Sequence, residues 1–398
     1  MKILVAAPYF YDPRHKEFSK TSSGFGYMVK DILDSISSMN DVFVFTHQFS
    51  EGYFEKYTVL RHKKQDVVKY LRVKDLKKGV VDAVKTRNNI NMALHYLYYQ
   101  SDKGSFIQAI KNVTPDVVHI HGLTYQTRPF VEACLELNQT FIVTLHGLNG
   151  LNETVMLPYI EKIYEKQELI ELCKRNITVT VISSGILKKI KTIYGIIGDN
   201  IRIIRNGTNF LPQTLLEKTG KKYEIVCIGS ISFRKNQMQL IDAVKELPIE
   251  YRDKLHITFV GVDSDNIHLN KYIKLAKLDE ITEYKGFVPR EEMKGLWEKA
   301  DLNVVMSKEE GFGLSMIEGF MYGVPTLTFS DLDAIDDLYN EVAFEIFKTR
   351  KNEDIRNGII SCMERTFDRK KIIEWGKTFS MDSIGKQYSE LYREILRG

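Results

Sequence analysis

Residues 307–318 read SKEEGFGLSMIE and place two carboxylates, Glu310 and Glu318, on either side of a glycine turn. The apolar run before them, Leu302 to Met306, predicts a buried strand, and Leu314 to Tyr322 has helical character. The glycine turn is therefore predicted to connect a strand to a helix. The N-terminus of a helix carries unpaired N–H groups and a partial positive charge, which together favour a phosphate group.

The spacing of these glutamates resembles the Glu-x7-Glu signature of retaining glycosyltransferases of family 4. Gly319, the segment Gly323–Pro325 and the predicted strand Thr326–Phe329 agree with that family, and the resemblance covers nearly the whole chain. It implies an α/β protein of the GT-B fold, with two Rossmann-like doubly wound domains facing across a cleft. It also implies a hexosyltransferase-type enzyme that moves a sugar from a nucleotide-diphosphate sugar to a hydroxyl acceptor with retained configuration.

The resemblance assigns roles to the residues of this stretch. Glu310 is expected to contact the hydroxyl groups of the donor sugar, and Glu318 is expected to bind the ribose. The backbone amides of the glycine turn are expected to contact the sugar or the diphosphate, and they belong to Gly311, Phe312, Gly313 and Leu314.

A second predicted strand and turn place two cations close together. Residues 226–236 read VCIGSISFRKN, so Arg234 and Lys235 follow a strand and a glycine. Fixed positive groups stabilise the negative charge that develops on a departing diphosphate. Lys235 matches the lysine of the family, whereas Ser230 stands where the family often has arginine, and Arg234 is expected to take over that role.

The first half of the chain supplies further candidate residues. Gly24 and Gly26, within SSGFGY at 22–27, match a glycine-rich loop that approaches the donor phosphates in the family. His146 ends a predicted strand and is expected to contact a sugar hydroxyl. In the segment PDVVHIHG, His119 is interpreted as a core residue and His121 as lying near the acceptor.

One segment of the sequence resembles a nucleobase-binding loop, and two acidic segments resemble a metal-binding motif. Val288, in a segment resembling the family's nucleobase loop, is expected to contact the base through its backbone. Two Asp-x-Asp matches, Asp263–Asp265 and Asp331–Asp333, resemble the metal motif of the other major glycosyltransferase fold, but both are interpreted as loop acids. No cofactor and no essential metal are expected, because the helix terminus and the two cations already neutralise the diphosphate.

Alternating strand and helix patterns predict two parallel-sheet domains. We expect an acceptor-side domain at residues 1–210 and a donor-binding domain at 211–379. The family resemblance implies that a last helix, at about 380–398, packs back on the first domain. The predicted strands are Lys2–Ala7, Asp41–Thr46, Val117–His121, Phe141–Leu145, Val179–Ile182, Ile201–Ile204, Glu224–Ile228, His256–Val260, Leu302–Met306 and Thr326–Phe329.

Composition is that of a globular protein, with 43% hydrophobic and 27% charged residues. Four widely spaced cysteines predict neither a zinc site nor a disulfide framework. The N-terminus lacks a signal-peptide pattern and no apolar run is long enough to span a bilayer, so a cytoplasmic location is expected.

Charge is unevenly distributed along the chain. The stretch Lys56–Arg87 holds eleven Lys or Arg and three Asp, whereas Asp279–Asp337 is strongly acidic. Leu76, Val80, Val81 and Val84 share one helix face within the basic stretch. Two interpretations stay open, a solvated surface helix or peripheral contact with anionic lipid near a lipid-linked acceptor. No nucleic-acid motif accompanies the charge, so nucleic acid is not an expected partner.

The expected partners are a nucleotide sugar and a sugar, lipid-linked or protein acceptor, in the synthesis of a cell-surface polysaccharide, glycolipid or glycoconjugate. Two alternatives are a catalytically silent binding subunit and another GT-B enzyme, such as an epimerase. The serine at Ser230 is the feature that favours the silent subunit, and the presence of Glu310, Glu318 and Lys235 argues against it.

Overall fold

The computed structural model describes residues 1–15, 23–84, 90–151, 159–211 and 222–397. Ser22, Lys85 and Arg87, which belong to segments singled out above, lie outside the described residues.

The described residues form alternating strands and helices. The strands are β1 (Lys2–Ala7), β2 (Asp41–Thr46), β3 (Tyr53–Phe54), β4 (Thr58–Val59), β5 (Val117–His121), β6 (Phe141–Leu145), β7 (Val179–Val181), β8 (Ile201–Ile203), β9 (Tyr223–Ile228), β10 (Leu255–Val260), β11 (Thr282–Tyr284), β12 (Leu302–Val304), β13 (Thr326–Phe329) and β14 (Phe344–Phe347). All ten predicted strands are present with small changes at their ends.

The helices follow the same order along the chain. They are α1 (Gly24–Ile36), α2 (Lys64–Lys69), α3 (Val73–Val84), α4 (Ile90–Val113), α5 (Arg128–Leu137), α6 (Tyr159–Lys174), α7 (Ser184–Lys189), α8 (Gln237–Lys245), α9 (Ile249–Arg252), α10 (Leu269–Ala276), α11 (Met293–Lys299), α12 (Leu314–Phe320), α13 (Ile335–Leu338), α14 (Asn352–Glu364), α15 (Arg369–Lys377) and α16 (Met381–Arg397).

The chain divides into two compact units. Unit 1 comprises Met1–Asn206 together with Met381–Gly398, and unit 2 comprises Gly207–Ser380. The boundary between the units lies four residues before the predicted one, since unit 2 already holds Thr208, whose N–H donates to the Phe379 carbonyl at 2.9 Å.

The sheet of unit 1 has the strand order β3-β4-β2-β1-β5-β6-β7-β8. All its strand pairs are parallel except β3 with β4, and the residues of β5 and β6 are fully buried. Helix α16 returns to this unit and packs against α1, where Asn40 Nδ2 donates to Ser389 Oγ at 2.9 Å.

Unit 2 holds a parallel sheet with the order β11-β10-β9-β12-β13-β14. Its central strand is buried on both faces, because Ile225 and Cys227 belong to one apolar cluster and Val226 belongs to another, with Met293 and Trp297. Burial on both faces is the hallmark of a doubly wound sheet, whose ligands bind at the carboxyl ends of the strands.

Among the described residues, no helix combines the length and the apolarity that crossing a bilayer would require.

Candidate active site

Lys235 and Glu310 form a largely buried ion pair in unit 2. Lys235 Nζ donates to Glu310 Oε2, and Ser307 Oγ lies 3.2 Å from the same oxygen. The two side chains are 16% and 14% exposed. Lys235 follows β9 and Glu310 follows β12, and these strands are parallel neighbours, so the residues after their carboxyl ends lie side by side.

Glu310 is held in its ionised form. Burial raises the pKa of its carboxyl group, but the neighbouring charges of Lys235 and Arg234 and the hydrogen bonds from Lys235 and Ser307 outweigh burial, so the pKa lies below its usual value. The second oxygen of this carboxylate can accept hydrogen bonds, which suits recognition of sugar hydroxyl groups.

Two glycines at strand ends allow close packing near this ion pair. Gly229 follows β9 with φ of +146°, and a Cβ there would lie 3.3 Å from Lys235 Cε. Gly261 follows the neighbouring strand β10, and a Cβ at that position would lie only 2.0 Å from the Gly229 carbonyl oxygen. Side chains at both strand ends are therefore excluded by strain or by collision.

The loop that carries Glu310 is tied down by two arginines. Arg234 Nη1 donates to the Glu309 carbonyl at 3.1 Å, and Lys308 N–H donates to the Arg234 carbonyl at 2.8 Å. Arg350, which the sequence analysis did not identify, donates from Nη1 to the Ser307 carbonyl at 3.1 Å. Arg234 thus holds the loop as well as contributing charge. No motif in the sequence marks Arg350.

Glu318 lies on α12 and pairs with Arg290. Arg290 Nη2 is 3.4 Å from Glu318 Oε1, and its guanidinium lies 5.1 Å from the centre of the Phe210 ring. Arg290 follows the predicted nucleobase contact Val288 by two residues, but no sequence motif marks it. Helix α12 ends at Phe320, two residues earlier than predicted.

The other predicted donor-binding residues of unit 2 offer main-chain groups. Phe312 is 2% exposed, so its ring belongs to the core, and Gly313 precedes α12 with φ of +81°. The side chain of Val288 packs against the cluster that contains Trp297. The Ser230 carbonyl accepts a hydrogen bond from Gln237 Nε2 at 3.0 Å, and Gly311 and Leu314 are partly exposed.

The glycines of unit 1 lie inside a helix rather than in the predicted loop. Helix α1 begins at Gly24 because Ser23 caps it, accepting a hydrogen bond from Gly26 N–H at 3.1 Å. The Gly26 carbonyl accepts from Tyr11 N–H at 3.1 Å, and a Cβ on Gly26 would meet Tyr11 Cβ at 3.0 Å. Close packing against Tyr11 therefore explains why a glycine stands at position 26. Gly24, in contrast, is exposed with open space around it.

His146 stacks on His121 at the carboxyl ends of β5 and β6. His121 Nδ1 lies 2.9 Å from His146 Nε2, and the ring of Phe25 stands edge-on to His146 at 5.2 Å. His121 is fully buried, so its side chain lies behind His146 instead of at a surface open to an acceptor. His119 is a core residue as predicted, hydrogen-bonded through Nδ1 to Tyr392 Oη at 2.7 Å.

We expect these three histidines to make unit 1 less stable in acid. Burial lowers the pKa of His119 to about 3 and that of His146 to about 4, and it also lowers the pKa of His121. In the unfolded chain histidine has a pKa near 6.5, so below about pH 6.5 these residues bind protons that they do not bind in the folded chain. The folded state is therefore destabilised as pH falls below about 6.5. The expected slope is about 1.4 kcal/mol per pH unit for each histidine.

Urea unfolding followed by circular dichroism at about pH 7.5 and about pH 5.5 measures this loss. His121→Gln is expected to reduce the slope, and His268→Gln, at an exposed position in unit 2, is the matched control. A free energy of unfolding that does not fall between the two pH values would contradict the expectation.

One group of side chains in the described residues has metal-ligand spacing. Atoms of Asp12, His15 and Glu55 lie within 4.8 Å of one another. The guanidinium of Arg14 already sits on both carboxylates, 2.8 Å from Asp12 and 2.5 Å from Glu55. Arg14 thus occupies the position that a metal ion would need between the two carboxylates.

Comparison with known proteins gives matches over most of the chain. Glycosyltransferase Family 4 matches residues 23–210, and Glycosyl transferases group 1 matches residues 214–379. The poly(glycerol-phosphate) alpha-glucosyltransferase of Bacillus subtilis (strain 168) is 30% identical over 172 residues, which cover 41% of this chain and 24% of the relative. The chain thus spans about a quarter of the length of that curated relative.

Solved structures are similar over the full length. Sucrose-phosphate synthase from Thermosynechococcus elongatus has a TM-score of 0.74 at 14% identity, covering 100% of this chain and 99% of that one. Anabaena Alr3699/HepE in complex with UDP has a TM-score of 0.66 at 16% identity, covering 99% and 100%. These likenesses confirm the predicted fold class, GT-B, with two parallel-sheet α/β domains.

Proposed function

The chain belongs to glycosyltransferase family 4, and we propose that it transfers a sugar from a nucleotide-diphosphate sugar to a hydroxyl group, with retained anomeric configuration. The observation that carries this proposal is the Lys235–Glu310 ion pair, which sets a cation and an ionised carboxylate together after neighbouring strands of unit 2. A diphosphate and a sugar ring require opposite kinds of partner, and this pair supplies both.

Lys235 stabilises the leaving group in the proposed reaction. As the bond between the anomeric carbon and the phosphate oxygen breaks, the diphosphate gains negative charge, and a fixed ammonium group lowers the barrier. Gly229 makes room for the lysine side chain, since a Cβ there would lie 3.3 Å from Lys235 Cε. Arg234 adds positive charge and holds the Glu309 carbonyl at 3.1 Å, so that the Glu310 loop keeps its position.

Retention follows from attack on the face that the diphosphate leaves. The acceptor oxygen bonds to the anomeric carbon, and its proton passes to the departing phosphate oxygen. Glu310 is already engaged with Lys235 and Ser307, so we assign it to sugar hydroxyls rather than to nucleophilic attack. In unit 1 we assign His146 to another sugar hydroxyl, since a neutral imidazole can donate or accept a hydrogen bond.

We propose that neither a metal nor a cofactor is required. Lys235 and Arg234 supply the positive charge next to the diphosphate that a divalent cation would otherwise supply. Both carboxylate oxygens of Asp263 accept main-chain N–H groups, at 2.8 Å and 2.7 Å, and Asp331 pairs with Arg350 at 2.7 Å, so the two Asp-x-Asp segments have structural roles.

The names of the relatives suggest substrates. The HepE structure contains UDP, and the Bacillus relative is named as a glucosyltransferase of poly(glycerol-phosphate). We propose a UDP-sugar as the first donor to test, and a cell-surface polysaccharide, glycolipid or glycoconjugate precursor as the acceptor, with the enzyme in the cytoplasm. The Glu318–Arg290 pair is the proposed ribose contact.

A donor panel tests the proposal. We expect purified protein to release nucleoside diphosphate from one of UDP-, GDP- and ADP-sugars at a rate unchanged by chelator. Methanol added as a surrogate acceptor is expected to give an α-methyl glycoside from an α-linked donor, read by NMR. A β product would contradict retention, and chelator sensitivity would contradict metal independence. No release and no donor binding by calorimetry would favour the silent binding subunit.

A further inference from the structure

Helix α3 turns a polar face toward the rest of unit 1. Asp75, Gly79 and Asp82 are its buried residues. Asp75 pairs with Lys103 Nζ at 3.6 Å, and Asp82 pairs with Arg128 Nη1 at 2.8 Å. These buried contacts are ion pairs with α4 and with the first residue of α5, and they determine which face of α3 points inward.

Gly79 makes the close packing of α3 on α4 feasible. A Cβ at Gly79 would lie 3.1 Å from Leu97 Cδ1 and 3.3 Å from Gln100 Cβ, both on α4. The absence of a side chain therefore allows the two helices to approach at the centre of the polar face.

The opposite face of α3 is apolar and exposed. At 100° per residue these side chains point away from the buried face. They are between 36% and 75% exposed and comprise Val73, Leu76, Val80, Val81 and Val84. A surface helix of a globular protein normally directs its apolar stripe to the core, so α3 is inverted. A contiguous exposed apolar face of this kind marks a binding surface.

Basic residues lie within and beside the apolar face. At 100° per residue Lys77 projects between Val81 and Val84, and Lys74 projects beside Val81 at one edge of the face. Lys74 and Lys78 also contact Glu136 and Glu132 of α5, and Lys77 is exposed. From residue 63 to residue 78 the chain holds seven Lys or Arg and two Asp. Lysine stems can lie along an apolar surface while their ammonium groups reach the headgroups, so an apolar face that carries lysines suits a helix in the headgroup region of an anionic membrane.

We infer that α3 docks unit 1 on a bilayer surface that contains anionic lipid. Leu76, Val80 and Val84 enter the boundary between headgroups and acyl chains, and the lysines contact lipid phosphates. A second copy of the chain is a poorer occupant, since a two-fold contact would bring the same lysines together and repel. The inference depends on the orientation of α3 alone and is independent of the reaction that the chain catalyses.

Vesicle sedimentation without any sugar donor tests the inference. We expect the protein to bind phosphatidylcholine vesicles that contain phosphatidylglycerol and to stay in solution with phosphatidylcholine alone. Val80→Asp with Val84→Asp is expected to abolish binding. The matched control Leu275→Asp, at a 71% exposed leucine of α10 in unit 2, is expected to bind like the unaltered protein. Each of Lys74→Gln and Lys77→Gln is expected to weaken binding about fivefold.

Three results would overturn the inference. The first is the absence of binding to the anionic vesicles, and the second is equal binding by the double aspartate variant with unchanged circular dichroism. The third is a dimer in gel filtration that the same double variant converts to monomer, since that result would assign the apolar face to a second copy.

Discussion

Lys235→Ala is expected to lower the turnover of the nucleotide-sugar donor by about a hundredfold to a thousandfold, which is the usual effect of removing one preorganised charge-stabilising group. The alanine removes the cation that stabilises the departing diphosphate. It also leaves Glu310 buried without its main partner, so burial is expected to raise the pKa of that carboxyl group. As pH falls, Glu310 should therefore become protonated, and the residual activity be lost, at a higher pH than in the unaltered enzyme. Release of nucleoside diphosphate as a function of pH measures both effects.

Two controls separate this prediction from general disruption of the loop. Lys308→Ala removes an exposed lysine two residues before Glu310 and is expected to keep normal turnover. Glu310→Gln is expected to be impaired by a similar factor, and the double variant Lys235→Ala with Glu310→Gln should be less impaired than the product of the two factors, because the side chains touch. Full activity of Lys235→Ala would refute the proposed role of the ion pair.

Asp102→Ala is expected to destabilise the protein by about 1–3 kcal/mol, the effect of leaving a buried hydrogen-bonding group without its partner. Asp102 is fully buried on α4, with Oδ2 2.7 Å from His47 Nδ1 and Oδ1 3.2 Å from His62 Nε2. His47 Nε2 lies 2.7 Å from the Gln126 carbonyl oxygen, so both ring nitrogens have a partner. Without Asp102, the buried imidazole ring of His47 loses its carboxylate partner, and His62 loses a neighbouring carboxylate oxygen.

The pKa of Asp102 adds a dependence on pH to this prediction. Burial raises it, but the hydrogen bonds from His47 and His62 hold it at about 2. Its contribution to stability is therefore complete above the unfolded value near 3.9 and is lost as pH falls toward about 2. The free energy of unfolding from urea denaturation is the measurement, with Asp41→Ala at an exposed position of the same unit as the control. Equal stability of the two variants would contradict the account.

The parallel strands could be read from the sequence because of their burial. Strands covered on both faces are continuous apolar runs, and runs such as Val117–His121 and Phe141–Leu145 have in the structure the bounds that the sequence predicted. Four strands, β3, β4, β11 and β14, were not predicted. The strands β3 and β4 hold two residues each, and two residues make no pattern. Gly24 and Gly26 were assigned to a loop instead of to α1, because the sequence alone did not show that Ser23 accepts a hydrogen bond from Gly26.

The candidate site was predicted only in part. Glu310, Glu318 and Lys235 come from motifs whose residues are close in sequence. Arg290 and Arg350 were missed because each acts through a contact with a distant segment, Glu318 in one case and the Ser307 carbonyl in the other. No local pattern encodes such a pairing.

Amino-acid order alone was enough to predict the doubly wound sheets and the glycine turns at their strand ends, because those features depend on neighbours along the chain. Three-dimensional packing was needed to show that Lys235 reaches Glu310, 75 positions away, and that Asp102 pairs with His47. It was also needed to orient α3. The sequence of an amphipathic helix does not show which of its faces is buried. The partners on α4 and α5 determine that the aspartates of α3 are buried and that its valines are exposed.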